Sequence, residues 1–266
     1  MKVAITGASG YIGAEVLNYL REKAVDCIPA SRSLHNLDVF NLENPFEALQ
    51  KPDVLIHLAW EHGFIHSHES HILNLPKHYQ FIKKMLQGGL KQIICLGTFH
   101  EIGFFEGKID EKTPCNPLSY YGISKNSLRE IVKILCEEHN SIFQWVRVPY
   151  ITGLDEKSNS VFAKVLKMEK EGVESFPFVS GENKYDFIDI FELAKQISSI
   201  ALQKEVLGII NACSGTPVSL KEKLEEFIKI KNLKIKPRYG EYPARKYDSK
   251  IIYGCTKKIE LVLKNL

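Results

Sequence analysis

The sequence predicts an α/β fold, a doubly wound parallel sheet followed by a smaller C-terminal lobe, from three observations. The chain opens on a short apolar run, residues 2–6, that passes directly into a glycine-punctuated turn, GASGYIG at 7–13, and then into helical spacing. Apolar runs of strand length then alternate with amphipathic helical stretches as far as residue 148. With 266 residues, 44% hydrophobic and 25% charged, the composition is that of a globular protein. That length suits one large α/β unit or a nucleotide domain with a small lobe.

The first element carries most of the information. KVAIT at 2–6 reads as a buried strand, and Ile12, Val16, Leu17 and Leu20 fall on one face of the helix after it. Gly7 lets the chain turn tightly out of the strand, Gly10 leaves the backbone open to a pyrophosphate, and Gly13 lets the helix sit close to the sheet. The turn and first helical residues, Ser9, Tyr11 and Ile12 among them, present N–H groups to the phosphates, and the helix dipole favours their charge. Strand, glycine turn and helix in this order are the Rossmann dinucleotide-binding context.

The remaining elements follow in order. Residues 25–30 read as a second strand and 36–39 as a short third, followed by a short helix near 45–49. DVLIHL at 53–58 is the fourth strand, 73–87 a helix, 92–96 the fifth strand, 120–138 a helix and 143–148 the sixth strand. Further on come a helix at 161–170, a strand at 176–179, a helix at 189–202, a strand at 208–211 and an amphipathic helix at 220–230. This places the dinucleotide-binding domain at 1–153 plus about 186–212, and the substrate lobe at 154–185 plus 213–266. The lysine-rich tail, 234–266, reads as a solvated face. Within it Arg238, Tyr239, Tyr242, Arg245 and Tyr247 suit either a base and a diphosphate or ordinary surface packing.

The end of the second strand bears on cofactor choice. An NAD-preferring site usually places an acid there for the ribose 2′-hydroxyl. Here the residues are Ser31, Arg32 and Ser33. Arg32 can pair with a 2′-phosphate and either serine can donate to it, which favours NADP(H) and leaves NAD(H) open. A solvated loop arginine is nearly as good a reading. Asp38 is a candidate for the adenine edge. Leu58, Ala59 and Trp60 close the fourth strand, and the small Ala59 lets a cofactor pass close.

Reactive residues follow the fifth strand. Thr98 stands at a strand's carboxyl end, and Tyr121 and Lys125 lie four apart on a helix, sharing one face. A nearby ammonium stabilises a phenolate, which lets Tyr121 exchange a proton with a sugar or alcohol oxygen. Thr98 can hydrogen-bond that same oxygen. The histidines at 62, 66, 68, 71 and 78 suit a metal through the H-x-H-x-x-H of 66, 68 and 71, or a polar loop leading into a helix. The polar loop is preferred, because no cysteine or carboxylate completes a metal site and the chemistry needs none.

Composition excludes several classes. A net charge of +3 gives no footprint for nucleic acid or an anionic membrane, and no apolar run is long enough to span a bilayer. The chain starts directly in a strand, without a signal sequence, and six cysteines without C-x-x-C spacing suggest reduced thiols in a cytoplasm.

TGASGYIG (6–13), DVLIHLAW (53–60), LGTFHEIG (96–103), YGISK (121–125) and RVPYITG (147–153) resemble the extended short-chain dehydrogenase/reductase family of nucleotide-sugar enzymes. The resemblance implies Thr98, Tyr121 and Lys125 as the catalytic set, with Lys125 also holding the nicotinamide ribose. It implies Gly7, Gly10 and Gly13 as the dinucleotide turn, with Leu58, Ala59, Trp60, Pro149 and Tyr150 lining the cofactor site. Within the family the chain looks most like the reductases of nucleotide-linked 4-keto-6-deoxyhexoses, an impression carried also by INACSG (210–215). Two departures stand out. Phe99 and His100 occupy the places where the water-eliminating branch carries Asp-Glu, and Tyr185 stands where an arginine often meets the substrate diphosphate, with Lys184 beside it.

The expectation is therefore an NADPH-dependent ketoreductase delivering hydride to C4 of a nucleotide-linked sugar, with the proton from Tyr121. An NAD-retaining 4-epimerase would use the same three residues. A non-catalytic NAD(P)-binding sensor would have no need of them. A homodimer through the helices at 73–87 and 120–138 is one arrangement, although their apolar faces are equally well satisfied within a monomer.

Overall fold

The computed structural model describes residues 1–153, 158, 160–243 and 248–264, without the side chains of residues 34 and 35. In chain order, β1 (Lys2–Thr6) leads to α1 (Tyr11–Glu22), β2 (Asp26–Ala30), α2 (Arg32–His35), α3 (Pro45–Ala48) and β3 (Val54–His57). Then come α4 (Ser70–Leu73), α5 (Leu75–Gln87), β4 (Gln92–Leu96), β5 (Gly107–Ile109), α6 (Tyr120–Glu138), β6 (Ile142–Arg147) and β7 (Tyr150–Thr152). The second half contains α7 (Val161–Lys170), β8 (Ser175–Phe178), β9 (Lys184–Asp189), α8 (Ile190–Ala201), β10 (Gly208–Asn211) and β11 (Pro217–Ser219). It closes with α9 (Leu220–Ile230), β12 (Lys236–Tyr239), β13 (Ile251–Gly254) and α10 (Lys257–Lys264).

Six strands form one parallel sheet in the order β10-β6-β4-β3-β1-β2. Side chains alternate across it, so Val3, Ile5 and Ile56 join Val16, Leu20 and Ile197 on one face. Ala4 and Leu55 join Ile82, Met85, Leu128 and Val132 on the other. Helices therefore cover both faces, as a parallel sheet requires. Pro29 lies in β2, the edge strand, where a missing N–H breaks no ladder on the open side.

A second sheet runs β11-β9-β13-β5, with β7 also on β9, and β12 pairs with β8 in a ribbon of two. Phe162, Phe176, Phe178, Phe187, Leu224 and Ile252 make a separate core there. Segments far apart in the chain meet in this sheet, because Ile252 of β13 is registered with Gly107 of β5 and with Tyr185 of β9.

The structure departs from the sequence reading at four places. No strand forms at 36–39: α2 ends at His35, Asn36 is left-handed (φ 47°), and a 3-10 turn occupies Val39–Asn41. Asp38 caps that turn by accepting from Phe40 N–H, and such local bonding competes with a ladder. The helix expected over 73–87 is two helices meeting at Asn74, with a proline in the first turn of the second, where its missing N–H costs least. The tail is no solvated face, because Ile235 and Ile252 are core residues of the lobe. Its last helix, α10, belongs to the main sheet rather than the lobe, since Ile259 and Val262 are buried against α8 and β10. No described helix is long and apolar enough to cross a membrane.

Candidate active site

At the glycine turn, Gly7 adopts φ +70° and lies so near β3 that an added Cβ would stand 2.8 Å from Ala59 N. A Cβ on Gly13 would stand 2.1 Å from Gly7 O, so α1 can approach the turn only with glycine there. Gly10 caps α1 in an extended conformation with no side-chain hydrogen bond. A Cβ added to it would meet only Gly7 O, at 3.1 Å, and would otherwise fill space at the helix N-terminus. That cradle fits a pyrophosphate held by backbone N–H groups and the helix dipole. Ile12 and Leu58 pack against the core beside it, and the Tyr11 hydroxyl donates to the Gly153 carbonyl.

The far end of the cradle differs from the sequence reading. Arg32 does follow β2, but its Nη2 is 2.6 Å from Glu61 Oε1, an acid 29 residues away beyond β3. The Arg32 hydrogen bond holds the Glu61 carboxyl below the usual range, and Asn74 donates to its second oxygen. Ser33 donates to Ser9 at 2.7 Å. Ser31 is buried, its carbonyl accepting from Leu37 N–H. Asp38 spends its carboxylate on Phe40 N–H and the Asn41 amide.

At the reactive end, Thr98 follows β4 and caps the 3-10 turn Phe99–Glu101, accepting from His100 N–H at 3.2 Å. Tyr121 is the second residue of α6, a helix capped by Ser119. Its ring packs against those of Trp60, His66, His71 and His100. Lys125, one turn further and 4% exposed, donates to Leu96 O at 2.7 Å and lies 3.8 Å from the centroid of the Trp60 ring.

The expected lowering of the Tyr121 pKa by Lys125 is not what this arrangement gives. Burial pushes the Tyr121 hydroxyl well above its usual range; the nearby Thr98 hydroxyl opposes that shift, and the Glu101 charge adds to it. Burial likewise pushes Lys125 down to about 8, against the pull of Glu101 and Cys95. A dry site disfavours phenolate and ammonium alike. The ammonium here is balanced by a carbonyl and an indole face, and the phenol by the threonine.

Beneath these groups lies Glu101, fully buried and not singled out by the sequence reading. It accepts from Thr98 N–H at 2.8 Å, Trp145 Nε1 at 2.9 Å, Arg147 Nε at 3.2 Å and Arg129 Nη1 at 3.3 Å. The T-x-x-E spacing of a capping box, Thr98 to Glu101, was the available signal.

The histidines are mainly scaffold. His57 bonds Thr6 Oγ1 at 2.8 Å through Nδ1 and His78 Nδ1 at 2.9 Å through Nε2. Burial, aided by the Lys125 charge, pushes His57 down to about 3, so the pair is neutral. Trp60 stacks on His78 and donates to His71 Nδ1 at 3.0 Å, and His71 Nε2 donates to Ile65 O. Among the described residues, no group of three or more His, Cys, Asp or Glu is placed to hold a metal ion.

Thr98, His66, His100, Pro149, Tyr150 and Tyr185 line a cavity of about 100 Å³. Tyr185, in the place expected of an arginine, is buried with its ring 4.8 Å from that of Tyr150. Arg238 is engaged by Glu241 and Ser175, and Tyr239 by Glu225, so neither pairing points to a diphosphate. Arg245 and Tyr247 lie outside the described residues.

A family model described as the NAD dependent epimerase/dehydratase family matches residues 3–213. The chain belongs to that family. It is thus an NAD(P)-dependent oxidoreductase with the Rossmann α/β architecture described above. The chain is 44% identical to the dTDP-6-deoxy-L-talose 4-dehydrogenase (NAD(+)) of Aggregatibacter actinomycetemcomitans, an alignment covering 96% of this chain and 99% of that one. Among solved structures, MoeE5 in complex with UDP-glucose and NAD superposes with a TM-score of 0.85 at 18% identity, covering 99% of this chain and 92% of that one. RMD from Pseudomonas aeruginosa complexed with NADPH gives 0.82 at 17% identity, covering 98% and 91%. These two likenesses concern the fold.

Proposed function

We propose that this enzyme interconverts the 4-hydroxyl and 4-keto forms of a dTDP-linked 6-deoxyhexose, with NAD(H) preferred to NADP(H). The observation that carries the reaction is that Thr98 lines a small cavity whose lining histidines, His66 and His100, pack directly on the Tyr121 ring. The substrate class rests on the A. actinomycetemcomitans relative, similar over nearly the full length of both chains.

When bound, the cofactor supplies or accepts the hydride. Gly7, Gly10 and the first turn of α1 would hold its pyrophosphate. Tyr121 gives the proton to the C4 oxygen in reduction and takes it back in oxidation, and Thr98 orients that oxygen. A phenol held neutral is suited to the donating role. Lys125, one turn along α6 with its ammonium at Leu96 O and the Trp60 ring, would hold the nicotinamide ribose rather than charge the phenol. Glu101 fixes Thr98 from below. The preference for NAD(H) reverses the expectation drawn from Arg32 alone. Its guanidinium is already paired, and the Glu61 carboxylate beside it would repel a 2′-phosphate.

The test is a steady-state assay of the purified enzyme with NADH and NADPH against 4-keto-6-deoxyhexoses linked to dTDP, GDP and UDP. The expected result is turnover on a dTDP sugar, faster with NADH. Turnover only on GDP or UDP sugars would remove the nucleotide assignment, and no turnover on any would remove the reading. An epimerase would instead interconvert 4-hydroxy sugars without added cofactor.

A further inference from the structure

Two histidines stand at the reacting end of the cavity with no role in the scheme above. His66 and His100 have ring centroids 4.0 Å apart. The His66 ring lies parallel to that of Tyr121, with centroids 5.2 Å apart and 11° between planes. The His100 ring meets Tyr121 edge-on at 5.9 Å. Both line the cavity together with Thr98.

The main chain of each histidine is tied to the segment that carries a reacting hydroxyl. The His66 carbonyl accepts from Tyr121 N–H at 3.0 Å, satisfying one of the open donors of the first turn of α6. The preceding carbonyl, of Ile65, is held by His71, which Trp60 holds in turn. On the other side His100 N–H donates to Thr98 Oγ1. The His100 carbonyl abuts α6 where only glycine fits, because a Cβ on Gly122 would lie 2.4 Å from it. Neither backbone segment can shift far without moving Tyr121 or Thr98. Much of the remaining lining is apolar, including Phe99, Val148, Pro149 and Ile252.

The substrate class above has a matching asymmetry. The ring neighbours of C4 are C3, which carries a hydroxyl, and C5, which carries the methyl of a 6-deoxyhexose. A hydroxyl both donates and accepts, and the ring nitrogens of an imidazole can do either. We infer that His66 and His100 are the specificity-determining contacts of this enzyme for the C3 hydroxyl, turning C3 toward the imidazoles and the C5 methyl toward the apolar lining. Their contact would set which face of C4 is presented to the reacting groups. The inference rests on the proposed function and deepens it.

The experiment compares wild type with His66→Phe and His100→Phe, which keep an aromatic ring but cannot hydrogen-bond, and with His100→Gln, which restores a donor and an acceptor. Each is assayed with NADH on a dTDP-4-keto-6-deoxyhexose and on its analogue lacking the C3 hydroxyl. A hydrogen bond to a substrate hydroxyl is worth about tenfold in kcat/KM. The Phe variants are expected to lose about that factor, mainly through KM, on the hydroxylated sugar. The loss should shrink to within about twofold on the deoxy analogue, and His100→Gln should recover part of it. NADH binding and melting temperature, measured alongside, are expected to stay near wild type and exclude misfolding. Equal losses on both sugars, or no loss on either, would overturn the inference while leaving the proposed function in place. A wild type inactive on every 4-keto sugar would remove both.

Discussion

Replacing Glu101 by alanine is the severest test of how this active site is built. The carboxylate is fully buried and lies within 3.3 Å of donors from Arg129 and Arg147, whose side chains are 10% and 1% exposed. Removing it leaves two guanidinium groups, the Trp145 indole N–H and the Thr98 backbone N–H without their shared acceptor. Breaking a buried ion pair from one side costs about 3–5 kcal/mol, most of it the penalty on the charges left behind. In a chain of this size each kcal/mol moves the melting point by about 2–4 °C, so a fall of about 10 °C is expected. The assay is urea unfolding by far-UV circular dichroism. The midpoint should drop with the slope unchanged, since the surface exposed on unfolding is the same. Glu101→Gln should recover little, because its amide group adds donors where four donors already converge. Activity should fall further than stability, since the Thr98 backbone loses its anchor. A loss below about 1 kcal/mol would refute the reasoning, because the guanidinium groups would then have to be solvated rather than dry.

Two further expectations follow from charge. Glu61→Gln should release Arg32 toward a 2′-phosphate and raise kcat/KM for NADPH relative to NADH; an exposed pair of this kind is worth at most about 1 kcal/mol, so about three- to fivefold is expected, and an unchanged ratio would place the 2′ position elsewhere. His57 resists protonation down to about pH 3 when folded but takes a proton below its ordinary 6.5 when unfolded. Its contribution to stability is therefore complete above pH 6.5 and lost as the pH falls toward 3. His57→Asn, followed by thermal melts between pH 4 and 7, should flatten that decline; an unchanged slope would show that other groups govern acid unfolding.

What could be read ahead of the structure was local. The glycine turn, the Tyr121 and Lys125 spacing and the helices at Tyr120–Glu138, Val161–Lys170 and Leu220–Ile230 each depend on residues within a turn or two of one another. Contacts between distant segments were not legible. Arg32 had no visible partner because Glu61 arrives from the loop after β3, two strands away in the sheet. Glu101 reads as an ordinary capping residue until α6 and β6 bring their arginines to it. The Lys125 ammonium was expected at Tyr121 because helical spacing allows it, yet helical spacing says nothing of the Leu96 carbonyl or the Trp60 ring. The missing third strand has a similar cause, since the Asp38 side chain offered Phe40 a nearer bond than any strand could. The histidine-rich loop reads as a polar loop leading into a helix because much of its order comes from Tyr121 and His100, on two other elements of the fold, besides Trp60 at its own start.

The central claim, that the Tyr121 hydroxyl moves the proton at C4, is tested most directly by comparing wild type and Tyr121→Phe in the NADH-dependent reduction of a dTDP-4-keto-6-deoxyhexose. The account predicts unchanged NADH binding and a fall in kcat of about 10²–10⁴-fold, the usual range for removing a general acid. A variant that turned over at the wild-type rate would contradict it and shift the proton transfer to Thr98 or the neighbouring imidazoles.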